Sequence, residues 1–253
     1  MTSFQHHSQI LALDFDGVVV DSIKECLVSG YNAYANFHGR TNIERYEELN
    51  NEWAAKARHM RNYIRNGEDY VFIAHALAYN VPIQQQSDFD AFLARHRDLR
   101  ESFLEHMINQ RLTFSAAHPQ AWVALNPLYA GMKEFLQHYP NKENLYIITT
   151  KKLVFVHKIL AANNISLIDA NVRDTSDGSK RHIIEEILRD RCVDPQDFNF
   201  IDDQIDTLMQ VHPSNINTAL AAWGYNNEQQ IEKAQTEGIA VLELQEFFER
   251  FAV

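Results

Sequence analysis

The apolar run Ile10-Leu11-Ala12-Leu13 breaks off into Asp14-Phe15-Asp16-Gly17, and no other junction constrains the chain as much. Four consecutive apolar residues bounded by a turn signal read as a strand buried on both faces, and such strands belong to parallel sheets covered by helices. This strand ends by delivering two carboxylates at its C-terminal tip, where Gly17 frees the backbone for a sharp exit. Similar segments recur at Leu145-Tyr146-Ile147-Ile148 ending at Thr149, at Phe198-Asn199-Phe200-Ile201 ending at Asp202, at Ala219 to Trp223, and more weakly at Ala170-Asn171-Val172. Apolar spacing predicts helices over 131–138, 152–163, 181–191, 229–236 and 242–251. Strand alternating with helix predicts an α/β fold, an open parallel Rossmann-like sheet flanked by helices, whose ligands bind beyond the carboxyl ends of the strands.

Between Asp21 and about Leu125 the alternation stops, and only helical spacing remains, over 44–66, 69–79 and 88–110. An all-α domain, residues 21–125, is therefore predicted as an insertion after the first strand of a core built from residues 1–20 and 126–253. It is either a functional module or a helical decoration of that core. Arg58, Arg61 and Arg65 recur there at i, i+3 and i+7. On one continuous helix they form a basic stripe, which either pairs with Glu47, Glu48 or Glu52 in solvent or meets an anionic part of a ligand.

Composition removes whole classes of function. With 45% apolar and 23% charged residues in 253, the chain has material for a packed core. Its eight glycines include no Gly-x-Gly pair, so the dinucleotide and kinase phosphate loops are missing, and Gly178-Ser179-Lys180 lacks the upstream glycine of a P-loop. Two cysteines and no His-Glu-x-x-His exclude the common zinc arrangements. No Gly-x-Ser-x-Gly elbow is present. A net charge of −11, with no cluster of basic residues, gives no expectation of a nucleic acid partner. Met1 to Gln9 shows no basic region followed by an apolar stretch, and no run approaches the roughly 18 apolar residues that span a bilayer. The expectation is a soluble, cytoplasmic protein without a membrane partner, its Cys26 and Cys192 free thiols in a reducing compartment.

Two carboxylates in one tight turn repel each other unless a cation or proton is shared between them. A solvated turn alone accounts for Asp14 and Asp16, Thr149 alone is an ordinary strand end, and Lys180 alone is an ordinary surface lysine. Their co-occurrence is harder to dismiss. A second tip supplies Thr149 and Thr150, followed by Lys151 and Lys152. A third supplies Asp202 and Asp203, with Asp206 just beyond, and Lys180 opens a helix between them.

In that order these segments resemble the haloacid dehalogenase superfamily. Leu-Asp-Phe-Asp-Gly-Val-Val-Val-Asp-Ser (13–22) looks like its first motif, Ile147-Ile148-Thr149-Thr150 its second, Lys180 its third and Phe200-Ile201-Asp202-Asp203 its acidic fourth. Leu128 to Leu136 and Ala222-Trp223-Gly224-Tyr225 are similar to the phosphoglycolate phosphatase-like branch, with Ala130 where that branch has proline. The resemblance implies that the insertion is a helical cap, some tens of residues longer than the branch suggests. It implies a Mg²⁺-dependent phosphatase acting on a small phosphorylated metabolite, with Asp14 as nucleophile, Asp16 as acid/base, Thr149 and Thr150 near the phosphate and Lys180 offsetting charge. Asp14, the Asp16 carbonyl and Asp203 would hold the cation, with Asp202 in the place of the family's glycine; a competing register uses Asp202 with Asp206. Dehalogenases of this type lack the second aspartate, so phosphatase and phosphomutase remain, beside a catalytically silent phospholigand-binding protein. A phosphonatase would want a cap lysine, for which only Lys24 and Lys56 offer themselves.

Overall fold

A computed structural model describes residues 9–251. The N-terminal segment read above for a leader lies almost wholly outside the described residues. The chain divides into two compact units, one formed by residues up to Asp21 and from Leu128 onward, the other by Ser22–Pro127.

The first unit opens with β1 (Ile10–Leu13), buried at every position. The second unit is all helical: α1 (Ile23–Phe37), α2 (Asn51–Met60), α3 (Asp69–Ala78), α4 (Gln86–Arg95), α5 (Arg100–Ala117) and α6 (Pro119–Ala124). Its core is aromatic, with Phe72 packed on Phe103 at 4.8 Å between ring centres. One buried charge is fully engaged there. Glu25 accepts from Arg111 through Nε and Nη2, both at 3.0 Å, from Ser29 Oγ at 2.6 Å and from Trp122 Nε1 at 3.2 Å. A carboxylate removed from water needs such a set of partners, and this one ties α1, α5 and α6 together.

After Leu128 the first unit resumes with α7 (Met132–His138), β2 (Leu145–Thr149), α8 (Leu153–Ala162), β3 (Val172–Asp174), α9 (Lys180–Arg191), β4 (Phe198–Asp202), α10 (Ile205–Val211), β5 (Asn217–Ala221), α11 (Glu228–Thr236), β6 (Ala240–Leu242) and α12 (Leu244–Phe251). The sheet order is β3-β2-β1-β4-β5-β6, and every pairing is parallel. Alternate strand residues, Ile10 and Ala12, Tyr146 and Ile148, Phe198 and Phe200, share one core with Ile183, Ile184 and Ile187 of α9 and Leu208 of α10. Two-sided burial explains why these strands read as unbroken apolar runs in sequence.

Register fixes the site. Leu13 pairs with Ile147 of β2 on one side and Ile201 of β4 on the other. Strand β1 thus ends level with the last residues of its neighbours, β2 running on to Thr149 and β4 to Asp202, and the Asp14 amide still donates to the Ile201 carbonyl at 2.9 Å. Strand order reverses across β1, with β2 on one side and β4 on the other. That is the position at which open α/β sheets leave a crevice beyond their strand tips. Beyond Asp14 the chain turns back tightly, with Gly17 N–H donating to the Val20 carbonyl at 2.9 Å and Val20 bridging to Leu128. Among the described residues no helix is long and apolar enough to cross a membrane.

Candidate active site

Asp14, Asp202 and Asp203 are all buried, and one oxygen from each lies within 4.8 Å of the others. Lys180, from the first residue of α9, reaches into this group. Its Nζ stands 2.8 Å from Asp14 Oδ1 and 2.8 Å from Asp202 Oδ2. Burial works against the lysine's charge, yet the two carboxylates outweigh it and hold the ammonium above its ordinary range. Burial also pushes the Asp14 carboxyl up to about 6, with Lys180 opposing the rise and Asp202 adding to it.

Asp202 and Asp203 are held by different neighbours. Asp202 Oδ1 accepts from the Gln204 amide at 2.8 Å, a bond that turns the chain into α10. Asp203 Oδ2 accepts from the Tyr225 amide at 2.8 Å. Two of the eight glycines make room for it. A Cβ on Gly17, whose φ is +92°, would sit 2.2 Å from Asp203 Oδ2, and one on Gly224 would sit 2.3 Å from Asp203 Cβ. Neither position admits a side chain without displacing that carboxylate. Asp206, the alternative partner in the acidic motif, stands instead in the first turn of α10 with Lys233 Nζ at 3.3 Å.

On the other side of β1, Thr149 ends β2, buried, and its Oγ1 accepts from the Lys151 amide at 3.1 Å. The hydroxyl proton is thereby left to donate elsewhere. Thr150 is exposed in the bend that follows. Lys151 Nζ lies 3.0 Å from Asp16 Oδ1. The structure thus brings Asp14, Asp16, Thr149, Lys180, Asp202 and Asp203 to one edge of the sheet, and adds Lys151 and Tyr225, to which the sequence reading gave no role. Glycines 17 and 224 were the available signal for Asp203 in a chain with so few.

The arginine stripe does not form. Helix α2 stops at Met60, residues 61–63 make a single tighter turn and Ile64 is extended, so the i, i+3, i+7 face is broken before Arg65. Arg58 Nε donates to Tyr46 Oη at 2.9 Å, Arg61 is buried with its guanidinium 5.8 Å from the Tyr70 ring centre, and Arg65 Nη2 donates to Gln86 Oε1 at 2.8 Å. Each is spent within the helical unit. The lysines considered for a phosphonatase are likewise local, Lys56 paired with Glu52 at 2.7 Å on the surface and Lys24 lying 5.5 Å from the Tyr46 ring centre.

The acidic group fits a cation of a definite kind. Its donors are all oxygen, three buried carboxylates face one ammonium, and hard divalent ions such as Mg²⁺ prefer that set over soft metals.

No family model and no curated protein matches the sequence. Solved structures do resemble the chain in three dimensions. A haloacid dehalogenase-like family hydrolase from Streptococcus pneumoniae is 13% identical with a TM-score of 0.61, covering 95% of each chain. A protein named as a predicted phosphoglycolate phosphatase from Haemophilus somnus is 15% identical with a TM-score of 0.60, over 98% of this chain and 99% of its own. A predicted phosphatase from Clostridium acetobutylicum is 13% identical with a TM-score of 0.58, over 96% and 97%. These matches cover nearly the whole of this chain, the helical unit included. At such identities the likeness is one of architecture: the chain has the fold of the haloacid dehalogenase-like hydrolases.

Proposed function

We propose that the protein is a Mg²⁺-dependent phosphatase that hydrolyses a small phosphorylated metabolite through an aspartyl phosphate on Asp14. One observation carries this reading: a buried carboxylate paired with a lysine, Asp14 with Lys180, stands beside two further buried carboxylates and two residues from a second aspartate on the same turn. Phosphoryl transfer asks for that combination of nucleophile, charge compensation and proton carrier at one place.

In the first step an Asp14 oxygen attacks phosphorus as the ester P–O bond breaks, and Asp16 gives its proton to the departing alkoxide. In the second step Asp16 takes a proton from a water whose oxygen attacks the same phosphorus. Inorganic phosphate leaves and the Asp14 carboxylate is restored. The Thr149 hydroxyl donates to a phosphoryl oxygen, and Lys180 offsets charge on both Asp14 and the phosphoryl group. Asp14, Asp203 and the Asp16 carbonyl would hold Mg²⁺, which would supply further charge compensation for the phosphoryl oxygens when bound. The helical unit serves as the cap that distinguishes substrates. A reducing cytoplasm suits the free thiols of Cys26, buried, and Cys192, exposed.

The test is release of inorganic phosphate from a panel of small phosphomonoesters with Mg²⁺, after EDTA, and after Mg²⁺ is returned. Turnover should stop on chelation and recover with the metal. Full activity after rigorous chelation overturns the cation assignment. Isomerisation of a sugar phosphate without net phosphate release indicates a phosphomutase, and ligand binding without turnover indicates a phospholigand-binding protein.

A further inference from the structure

The Lys151 side chain is completely buried, yet it carries a charge to the one functional carboxylate that reaches solvent. Its exposure is 0%, against 20% for the Asp16 side chain 3.0 Å away. Lysine is rarely buried to that degree, and the charge is tolerated where a carboxylate answers it. Lys180 already serves Asp14 and Asp202, so Lys151 is not needed for the buried acidic group. The backbone of the same residue is fixed as well, because its amide donates to Thr149 Oγ1 at 3.1 Å. One residue in the bend after β2 therefore anchors both the strand-end hydroxyl and the second aspartate of the β1 turn.

We propose that Lys151 is a positioning residue for Asp16; the assignment rests on the reading of Asp16 as the proton carrier of phosphoryl transfer. The lysine holds Oδ1 from the protein side and leaves the solvent-facing part of the carboxylate turned toward an arriving ester. A carboxylate on two rotatable bonds at the end of a turn samples several orientations, and transfer of a proton in the transition state tolerates few of them. Lys151 removes that freedom through its ion pair with Asp16 Oδ1.

The role predicts a dependence on the leaving group that a purely structural contact does not. An alkoxide leaves only with a proton from Asp16, whereas p-nitrophenolate leaves without one. General acid catalysis contributes on the order of 100- to 10,000-fold, so Lys151→Met should lower kcat/KM for an alkyl phosphate by about 10- to 100-fold. The same variant should change kcat/KM for p-nitrophenyl phosphate by less than about threefold. Lys151→Gln, which keeps a polar end and guards against misfolding of the methionine variant, should show the same selectivity, and Lys151→Arg should restore part of the alkyl activity. In an Asp16→Asn background, Lys151→Met should add no further loss on the alkyl ester. Equal losses on the two esters, or additive losses in the double variant, overturn the positioning role while leaving the phosphatase reading intact. Wild-type protein that hydrolyses neither ester with Mg²⁺ overturns that reading and the positioning role with it.

Discussion

Asp14 carries opposing demands at the scale of a single residue. Burial raises its carboxyl to about 6, while a nucleophile and cation ligand must be ionised. Above that pH the group is a carboxylate in the free protein, and below it a proton must leave before a cation can bind. Affinity for Mg²⁺ measured by calorimetry should therefore be nearly constant above about pH 6 and fall by about tenfold per pH unit below it. An affinity that does not change between pH 5 and 7 would remove Asp14 from the ligand set. Asp14, Asp16, Lys180 and the Asp202-Asp203 pair were legible in the sequence because each stands at the end of an apolar run or the start of a helix. Lys151 was not. Its partner Asp16 is remote in sequence, and only the register of β1 with β2 brings the two together.

At the scale of elements, the strand tips were the readable part and the edges were not. Strand β6 has three residues, of which only Leu242 is buried; it lies in the apolar run Ile239-Ala240-Val241-Leu242, where the sequence reading placed only the start of a helix over 242–251. The weak segment near Ala170 shifts to Val172–Asp174, because Asn171 is occupied in capping the carbonyls of Lys142, Glu143 and Leu145. The long helical stretch over 88–110 is two helices, α4 and α5, broken at His96–Leu99 without any proline or glycine to mark the break. The stretch over 44–66 breaks where the Asn50 side chain accepts from the Glu52 and Trp53 amides, a cap that the sequence did carry. At the start of α3, Asp69 is buried and accepts from the amides of Arg65 and Asn66, both at 2.9 Å. Burial nevertheless raises its carboxyl to about 6, above the unfolded-chain value. The folded protein then holds a proton between about pH 4 and 6 that the unfolded chain has lost, so stability falls as pH rises through that window. Asp69→Asn keeps an acceptor oxygen for both amides and abolishes the titration. Its stability relative to wild type, from urea unfolding, should increase by about 1 to 3 kcal/mol between pH 4 and pH 7. A difference that stays constant over that range would contradict the assignment.

Over the whole molecule, a six-stranded parallel sheet gathers residues from β1, β2, β4 and α9 at one edge, and a helical unit is inserted between β1 and the rest. The insertion was legible as helical because strand alternation disappears for a hundred residues; the local partners of its arginines were set by packing that no spacing reveals. The central claim is that Asp14 becomes phosphorylated. Protein mixed with a ³²P-labelled phosphomonoester and Mg²⁺, quenched in acid within the first turnover and digested, tests it directly. The label should map to the peptide containing Asp14 and be lost on treatment with hydroxylamine, and Asp14→Asn should carry none. Label on any other residue, or label retained by Asp14→Asn, would contradict the account.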